Sequence, residues 1–384
     1  MKKLLFIIPD LGFGGTNPSL EALYNHLKYQ YDIKVFAIAH QPRSRTFLFD
    51  EVLLPQQRDL SLLFANLSDL SGFNKILAFL IKLPDAILRL CHIDIRRYVC
   101  KKSVKVIEAS SGFDTVIAYQ EGVATQFVSL FQVKNKVAWI HCNYEKWRAK
   151  DYSELNLYLN YKNIVCVSDY TASIFSRRYP LLESRVVGVH NFVDSKTILR
   201  LGSENIDDAR FNNERFTILS VGRFHNIKRF RAIPQIAKYL KEKGVDFCWF
   251  VLGDGSDKKE VEMFVDNLNN YKVSQFVKWL GGKSNPYPYF KQSDLYVCTS
   301  ESEACPMVFI EAKLFGIPIV TTDFPSSYEF IENNVNGVIT PLEKMSEVLC
   351  DILTNNNQYD ILKTNVSCFS YDNSRLMLKL SAIL

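Results

Sequence analysis

Short runs of apolar, β-branched residues alternate along the chain with longer stretches in which apolar residues recur at helical spacing. The short runs predict buried parallel strands, and the longer stretches predict the amphipathic helices that cover such a sheet. A first helix is predicted at Pro18–Tyr29 and another at Thr171–Arg178, which Ser168 or Asp169 would cap. The strands predicted in the first half are Leu4–Ile8, Ile33–Ala39, Thr115–Tyr119, Lys136–Ile140, Asn163–Val167 and Val186–Val189.

The alternation stops at the polar stretch Ser195–Glu214 and then restarts. The later strands are predicted at Phe216–Val221, Phe247–Leu252, Val277–Leu280, Leu295–Thr299 and Ile317–Thr321. Two such blocks in 384 residues predict two doubly wound α/β domains that face each other across a cleft. We place the domains at 1–195 and 215–365, a linker at 196–214, and at 366–384 a C-terminal helix that packs back on the first domain.

The stretch Asn74–Lys105 combines apolar and basic residues at helical spacing, and Pro84 is expected to split it into two helices. One interpretation is a peripheral contact with an anionic membrane; the other is a pair of ordinary core helices with a solvated basic face. The sequence leaves both open. Residues 1–195 hold 24 Lys and Arg against 18 Asp and Glu, and the excess is concentrated in this stretch.

The cysteine pattern and the hydropathy of the chain indicate its class and cellular location. Nine cysteines occur singly, without a C-x-x-C pair, which argues against a disulfide framework and a zinc site. Residues 2–9 are too short for the apolar core of a signal peptide, and no eighteen apolar residues run uninterrupted. We therefore predict no membrane span and a cytoplasmic location, at the inner face of the cell membrane if residues 74–105 contact lipid. The basic face of the first domain would suit either membrane phosphate or nucleic acid, and we expect no nucleic-acid partner.

Two segments that follow predicted strands carry the candidate chemistry. Gly222 and Arg223 follow the strand that ends at Val221, and Lys228 comes five residues after the arginine. Glycine permits close approach of a ligand to the backbone, while the two cations would neutralise a diphosphate. Without further support, this segment is also compatible with a surface loop carrying two incidental cations.

The second segment lies between Leu295 and Glu311. Pro306 is predicted as the first residue of a helix, whose free backbone N–H groups would form a site for phosphate. Glu303 precedes this helix and Glu311 lies within it, and carboxylates are suited to accept hydrogen bonds from sugar hydroxyls. Taken alone, a glutamate at either position is more often a solvent-exposed charge than a ligand-binding residue.

The order and spacing of these motifs resemble family 4 glycosyltransferases of GT-B fold, in particular the bacterial surface-polysaccharide branch. Glu303 and Glu311 have the E-x7-E spacing, and Gly222, Arg223 and Lys228 resemble the phosphate clamp of the family. The similarity extends over the whole chain. Further segments that resemble the family are 12–15, 167–168, 191–194, 251–255, 282–287 and 316–320.

The resemblance implies a retaining, metal-independent hexosyltransferase. It would move a sugar from a nucleoside-diphosphate sugar, with UDP favoured, to a lipid-linked or growing glycan. Glu303 and His141, which follows a predicted strand, would be catalytic. The alternative is that His141 is an ordinary loop residue whose ring forms a hydrogen bond with a backbone group and has no role in catalysis. The donor-binding residues implied are Gly15, Gly222, Arg223, Lys228, Gly253, Lys283, Asn285, Cys305, Pro306, Met307, Val308 and Glu311.

Two departures and two alternatives accompany this prediction. Ala304 replaces a frequent glycine and would narrow the sugar pocket, and Phe192 stands where the family has glycine. The alternatives are a catalytically silent glycosyltransferase-like subunit and a sugar-nucleotide epimerase of GT-B fold.

The chain has no D-x-D pair to hold a metal against a diphosphate, so we expect no metal and no other cofactor. The loop from Gly12 to Asn17 lacks the spacing of a nicotinamide-binding turn.

Overall fold

The structure is a computed structural model. It describes residues 1–11, 15–39, 49, 52–53, 58–64, 70, 72–90, 95–110, 112–144, 154–212, 214–255 and 257–384. The chain forms two compact units, the first made of Met1–Val193 with Asn373–Leu384 and the second of Asp194–Asp372.

The first unit is built on a parallel sheet of seven strands among the described residues. Its order is β3-β2-β1-β4-β5-β6-β7, so the chain builds outward from β1 in one direction and then from β4 in the other. Ile7 and Ile140 are fully buried, as expected for strands covered on both faces. The strands are β1 Lys3–Asp10, β2 Asp32–Ala39, β3 Val52–Leu53, β4 Thr115–Ala118, β5 Asn135–Ile140, β6 Asn163–Cys166 and β7 Val186–Gly188.

The helices of this unit follow the strands in the alternating order that a doubly wound sheet requires. They are α1 Thr16–Leu27, α2 Arg58–Phe64, α3 Gly72–Leu90, α4 Ile95–Ser110, α5 Val123–Val128, α6 Leu155–Tyr158 and α7 Asp169–Arg178, with a 3₁₀ turn at Pro180–Arg185. The predicted cap of α7 is confirmed, because the Ser168 side chain accepts a hydrogen bond from the backbone N–H of Thr171.

The second unit repeats the plan with six parallel strands in the order β10-β9-β8-β11-β12-β13. The direction of winding reverses between β8 and β11, which is where ligands bind in open α/β sheets. The strands are β8 Phe216–Val221, β9 Phe247–Leu252, β10 Val277–Gly281, β11 Leu295–Cys298, β12 Ile319–Thr322 and β13 Gly337–Thr340. The helices are α8 Ser195–Leu201, α9 Ile233–Glu242, α10 Lys258–Asn270, α11 Tyr287–Lys291, α12 Met307–Leu314, α13 Ser327–Phe330, α14 Met345–Thr354 and α15 Asn356–Ser367.

Each strand predicted from the hydrophobic pattern is present, with bounds displaced by two residues at most. Two units of parallel sheet and flanking helices confirm the predicted fold class. The predicted break at Pro84 is wrong, because α3 continues through it. A proline inside a helix costs about 3 kcal/mol, and packing of the helix on its neighbours offsets such a cost.

The segments between and after the two sheets have structure of their own. Residues 196–214, expected to form a linker, start within helix α8 and belong to the second unit. The final helix, α16 Ser374–Ser381, belongs to the first unit, where Asn373 donates a hydrogen bond to the carbonyl of Val193. No helix in the described part of the chain is long and apolar enough to cross a membrane.

Candidate functional site

The candidate donor site of the second unit lies at the carboxyl ends of adjacent parallel strands. The loop after β8 carries Arg223 and Lys228, and the loop after β11 carries Glu303. Because these two strands pair at the reversal of the sheet, their loops come together although Lys228 and Glu303 are 75 residues apart. The structure therefore joins the two motifs that the sequence singles out.

Glycine at position 253 is required by both its conformation and its surroundings. Gly253 has φ +148°, and a Cβ atom there would lie 1.7 Å from the carbonyl oxygen of Gly222. At Gly222 the nearest atoms to an added Cβ would be a ring atom of Phe230 at 3.4 Å and the Lys228 side chain at 3.6 Å. Both glycines thus border the loop that carries the two cations, but of the two only Gly253 leaves no space for a side chain.

Lys228 and Glu303 form the central ion pair of this site. The Lys228 Nζ lies 2.5 Å from Glu303 Oε1, which also accepts a hydrogen bond of 2.6 Å from Ser300 Oγ. The two side chains are 24% and 14% exposed, so solvent and ligands can reach them. Glu303 Oε2 accepts no hydrogen bond from the part of the chain that the structure describes, so it has capacity for a further donor.

Electrostatics keep Lys228 cationic. Burial is the largest single effect on the pKa of Lys228 and lowers it, but the attraction of Glu303, its hydrogen bond and the nearby Cys298 together outweigh burial and raise the pKa. The charge of Arg223 opposes this rise, so the arginine acts electrostatically on Lys228. Arg223 is exposed and forms no hydrogen bond or ion pair within the described ranges, whereas Lys228 is already paired.

Arg229 holds the two loops together, although nothing in the sequence distinguishes it from other arginines. It has a left-handed backbone with φ 52°, and its guanidinium donates to the carbonyl oxygens of Thr299 at 2.9 Å and Ser300 at 2.8 Å. The Thr299 hydroxyl in turn donates to the carbonyl of Lys228 at 2.7 Å. These contacts set the position of Lys228 against Glu303. The position of Arg229 beside a predicted clamp is the only signal that could have found it.

Helix α12 begins one residue later than predicted. Pro306 has a non-helical ψ of 93° and occupies the position just before the helix, so Met307 is the first helical residue. No side chain caps this start, and Cys305, Met307 and Val308 are all partly exposed. These residues therefore lie at the positive end of the helix dipole with part of their surface exposed.

Glu311 occupies the next turn of α12, and the Tyr287 hydroxyl lies 3.5 Å from its Oε1. Beneath the site, the hydroxyl of buried Tyr296 donates to the carbonyl of Val221 at 3.1 Å. Burial raises the pKa of Tyr296 well above its usual value, and the charges of Glu303 and Glu311 add to the shift. Tyr296 thus remains a neutral support for the end of β8, a role that sequence reasoning missed because tyrosine is common in strands.

Lys283 and Asn285 bind the segment that follows α8. Lys283 Nζ lies 2.7 Å from Asp208 Oδ2, and Asn285 Nδ2 donates to Glu204 Oε2 at 2.7 Å and to the carbonyl of Leu201 at 3.0 Å. Both side chains hold residues 201–208 against the loop after β10. Their predicted contact with the donor stays a prediction.

His141 lies in the first unit, at the carboxyl end of β5. Its backbone N–H donates to Glu121 Oε2 at 2.8 Å, and its ring packs on Tyr119 with centroids 5.0 Å apart. Burial lowers the pKa of His141 to about 3 and raises that of Glu121, so the imidazole is neutral near pH 7. Its Nε2 is buried without a hydrogen-bond partner in the described residues.

Gly15 lies at the carboxyl end of β1 in the same unit. It precedes helix α1, and its carbonyl accepts a hydrogen bond from the N–H of Ser19. The other glycines of the predicted loop, Gly12 and Gly14, are outside the described residues. Ser19 Oγ also lies 3.1 Å from the Tyr119 hydroxyl and 3.1 Å from Asn191 Oδ1. The start of α1 is thereby fastened to the loops after β4 and β7.

The fold and the site in the second unit place the chain among proteins of GT-B architecture. Residues 203–366 match the family described as glycosyl transferases group 1, which covers less than half of the chain but includes the whole candidate donor site. The solved structure of HepE from Anabaena, in complex with UDP and glucose, superimposes with a TM-score of 0.71 at 16% identity and covers 100% of this chain and 99% of its own.

Two curated relatives are similar over shorter stretches. An uncharacterized glycosyltransferase of Haemophilus influenzae is 27% identical over 167 residues, 43% of this chain and 44% of its own length. An amylovoran biosynthesis glycosyltransferase of Erwinia amylovora is 27% identical over 121 residues, 32% of this chain and 33% of its own. The chain therefore spans less than half the length of these two relatives.

Proposed function

We propose that this protein is a retaining glycosyltransferase that moves a sugar from a nucleoside-diphosphate sugar to a hydroxyl group of a lipid-linked or growing glycan. The observation that carries the proposal is the Lys228–Glu303 pair beside exposed Arg223 at the reversal point of the second sheet. A UDP-sugar is the favoured donor, and bacterial surface polysaccharide is the favoured product. The UDP bound to HepE and the amylovoran relative support these two choices.

The donor diphosphate would bind to the two cations and the start of α12. Arg223 offers a planar set of N–H donors. Lys228 offers an ammonium group, which the neighbouring Glu303 helps to keep protonated. Backbone groups around Cys305, Met307 and Val308 add the positive end of a helix dipole. As the sugar–phosphate bond breaks, negative charge grows on the diphosphate, and these fixed groups would stabilise it without a metal ion.

The two glutamates would orient the rest of the donor. Glu303 is held by Lys228 and Ser300 through Oε1, so Oε2 is left to accept a hydrogen bond from a hydroxyl of the donor sugar. Glu311, partly exposed on α12, would accept from the ribose hydroxyls. In this arrangement the acceptor attacks on the face that the diphosphate leaves, and a departing phosphate oxygen takes the acceptor's proton.

The first unit would supply the acceptor site and His141. A neutral imidazole with a buried, unpartnered Nε2 is suited to a hydrogen bond with an uncharged sugar hydroxyl. Such a contact would satisfy a polar atom that is costly to leave unpaired. We therefore assign His141 a role in positioning a hydroxyl group rather than in transferring a proton near neutral pH.

The first test is a thermal-shift screen of the purified chain against UDP, GDP, ADP and CMP. A ligand at a hundred times its dissociation constant stabilises a protein by about 2.7 kcal/mol, which is readily measured. We expect one nucleoside diphosphate to stabilise the wild type and not the Arg223→Ala/Lys228→Ala variant. The matched control is Lys238→Ala/Lys243→Ala, which removes one cation within helix α9 and one at its C-terminal cap.

Each outcome of the screen has a definite meaning. A shift retained in Arg223→Ala/Lys228→Ala, or lost equally in the control, would contradict the assigned site. No shift with any nucleotide would contradict donor binding and favour a catalytically silent subunit. If UDP binds, hydrolysis of UDP-sugars in the absence of acceptor identifies the sugar, because a bound donor slowly transfers to water.

A further inference from the structure

Helix α3 exposes an unusual row of large apolar side chains. Ile76, Phe79, Leu80 and Leu83 are 59%, 53%, 58% and 49% exposed, and their spacing of three to four residues puts them on one face. The opposite face of the helix contacts the core, because buried Ala78 and partly buried Leu77 and Ile81 pack with Leu62 and Leu70. The helix therefore packs on the core through other residues, and the exposed row takes no part in that packing.

Helix α4 packs beside α3 and exposes a basic face. Lys101, Lys102 and Lys105 are exposed on it together with Tyr98, which is 71% exposed. Their spacing places all four within one side of the helix. Over residues 72–110 the sequence has eight Lys and Arg against three Asp and Glu, a net charge of +5 that equals that of the whole chain.

We propose that helices α3 and α4 form a docking surface for an anionic lipid bilayer. Apolar side chains on one helix would enter the boundary between headgroups and acyl chains, while the lysines and Tyr98 of the neighbouring helix lie at the level of the headgroup phosphates. The sequence alone left a core helix and a membrane contact as equal alternatives. The exposure of Phe79 and Leu80 in the folded unit favours the membrane contact.

The charge and chemistry of the surface disfavour other occupants. A second copy of the chain would bring two surfaces of net positive charge together, which is repulsive. Nucleic acid binds basic grooves with aromatic rings on which bases stack, and the exposed row is mainly aliphatic. A bilayer satisfies both features, since it offers a negative surface above an apolar interior.

The test is cosedimentation of the full chain with vesicles of phosphatidylcholine alone or with phosphatidylglycerol added. We expect binding to the anionic vesicles that weakens with salt. The charge variant Lys101→Gln/Lys102→Gln/Lys105→Gln should bind about a hundredfold more weakly, and Phe79→Ser/Leu80→Ser should also lose binding. The apolar control is Tyr328→Ser/Ile361→Ser, which changes two similarly exposed side chains of the second unit.

Other results would overturn the proposal. Equal binding to neutral and anionic vesicles, or equal loss in the control, would contradict an anionic docking surface. A dimer that Phe79→Ser/Leu80→Ser dissociates, with no vesicle binding by the wild type, would assign the surface to a second copy. Thermal unfolding shows whether each variant is folded. The nucleotide screen on the same variants separates this proposal from the proposed function, because α3 and α4 lie outside the donor unit.

Discussion

The two units place polar residues at the carboxyl ends of parallel strands, but they hold them in opposite electrostatic states. In the second unit Lys228 is paired with Glu303, partly exposed, and has a raised pKa. In the first unit burial favours the neutral forms of His141 and Glu121. A charged, accessible site suits an anionic ligand, and a buried neutral site suits a hydroxyl group. The same architecture thus holds polar residues in two electrostatic states, set by what surrounds each strand end.

The sharpest way to break this comparison is to disrupt the backbone under the charged site. Gly253→Ala should lower the free energy of unfolding by at least about 3 kcal/mol, because the new Cβ collides with Gly222 and φ is unfavourable. The control is Gly244→Ala, which also has positive φ but open space around it and should cost about 1 kcal/mol. Urea unfolding measures both, and equal costs would show that the contact between the two glycines is unimportant.

The next largest effect concerns the ion pair. Lys228→Met should weaken UDP binding by about 1.5–3 kcal/mol, the usual contribution of a hydrogen bond to a charged group. Glu303→Gln should leave UDP binding intact at about pH 7 and abolish sugar transfer, because it frees Lys228 for phosphate but removes an acceptor for the sugar hydroxyl. Isothermal titration and a transfer assay separate the two. Loss of UDP binding in Glu303→Gln would contradict the assigned roles.

The same variant has a distinct pH dependence. Attraction to Glu303 raises the pKa of Lys228 against the effect of burial, so wild-type UDP binding should stay level from about pH 7 to pH 9. In Glu303→Gln only burial remains of these two effects, so the pKa of Lys228 falls and binding should weaken as the pH rises through this range. A level profile in both proteins would mean that Lys228 is not the group that binds the diphosphate.

A smaller effect distinguishes the neutral site. His141 has a pKa of about 3 in the folded chain and about 6.5 when unfolded. Between these values the unfolded state binds more protons, so the contribution of His141 to stability falls as the pH decreases from about 6.5 toward 3. His141→Gln should flatten the fall in unfolding free energy between about pH 7 and pH 5. A Glu121→Gln control accounts for that carboxyl, whose raised pKa acts in the opposite direction.

The smallest predicted effect concerns a residue with no assigned role in chemistry. Ser168→Ala removes the reciprocal cap of helix α7 and should cost about 1 kcal/mol, with UDP binding unchanged. Thermal unfolding and the nucleotide screen measure the two properties separately. Loss of UDP binding in this variant would show that the donor site is sensitive to the first unit in general, and it would weaken any conclusion drawn from His141 variants.

The sequence predicted local elements well because hydrophobic periodicity is a local signal. All eleven predicted strands are present, whereas Val52–Leu53 and Gly337–Thr340 are strands without a sufficiently apolar run to mark them. Helix α8 was missed because its residues Ser195–Leu201 open a polar stretch. Pro84 misled the prediction because a local rule about proline does not include the tertiary contacts of the helix around it.

The sequence by itself determined the alternating plan, the division into two blocks, and the candidate cations and glutamates, since these depend on residue type and spacing. Only the tertiary structure decided that Lys228 pairs with Glu303, that Arg229 and Tyr296 support the pair, and that His141 is neutral. It also decided that the apolar face of α3 is exposed. These properties depend on distances between residues far apart in the chain and on removal from water, and neither is encoded at the position of any single residue.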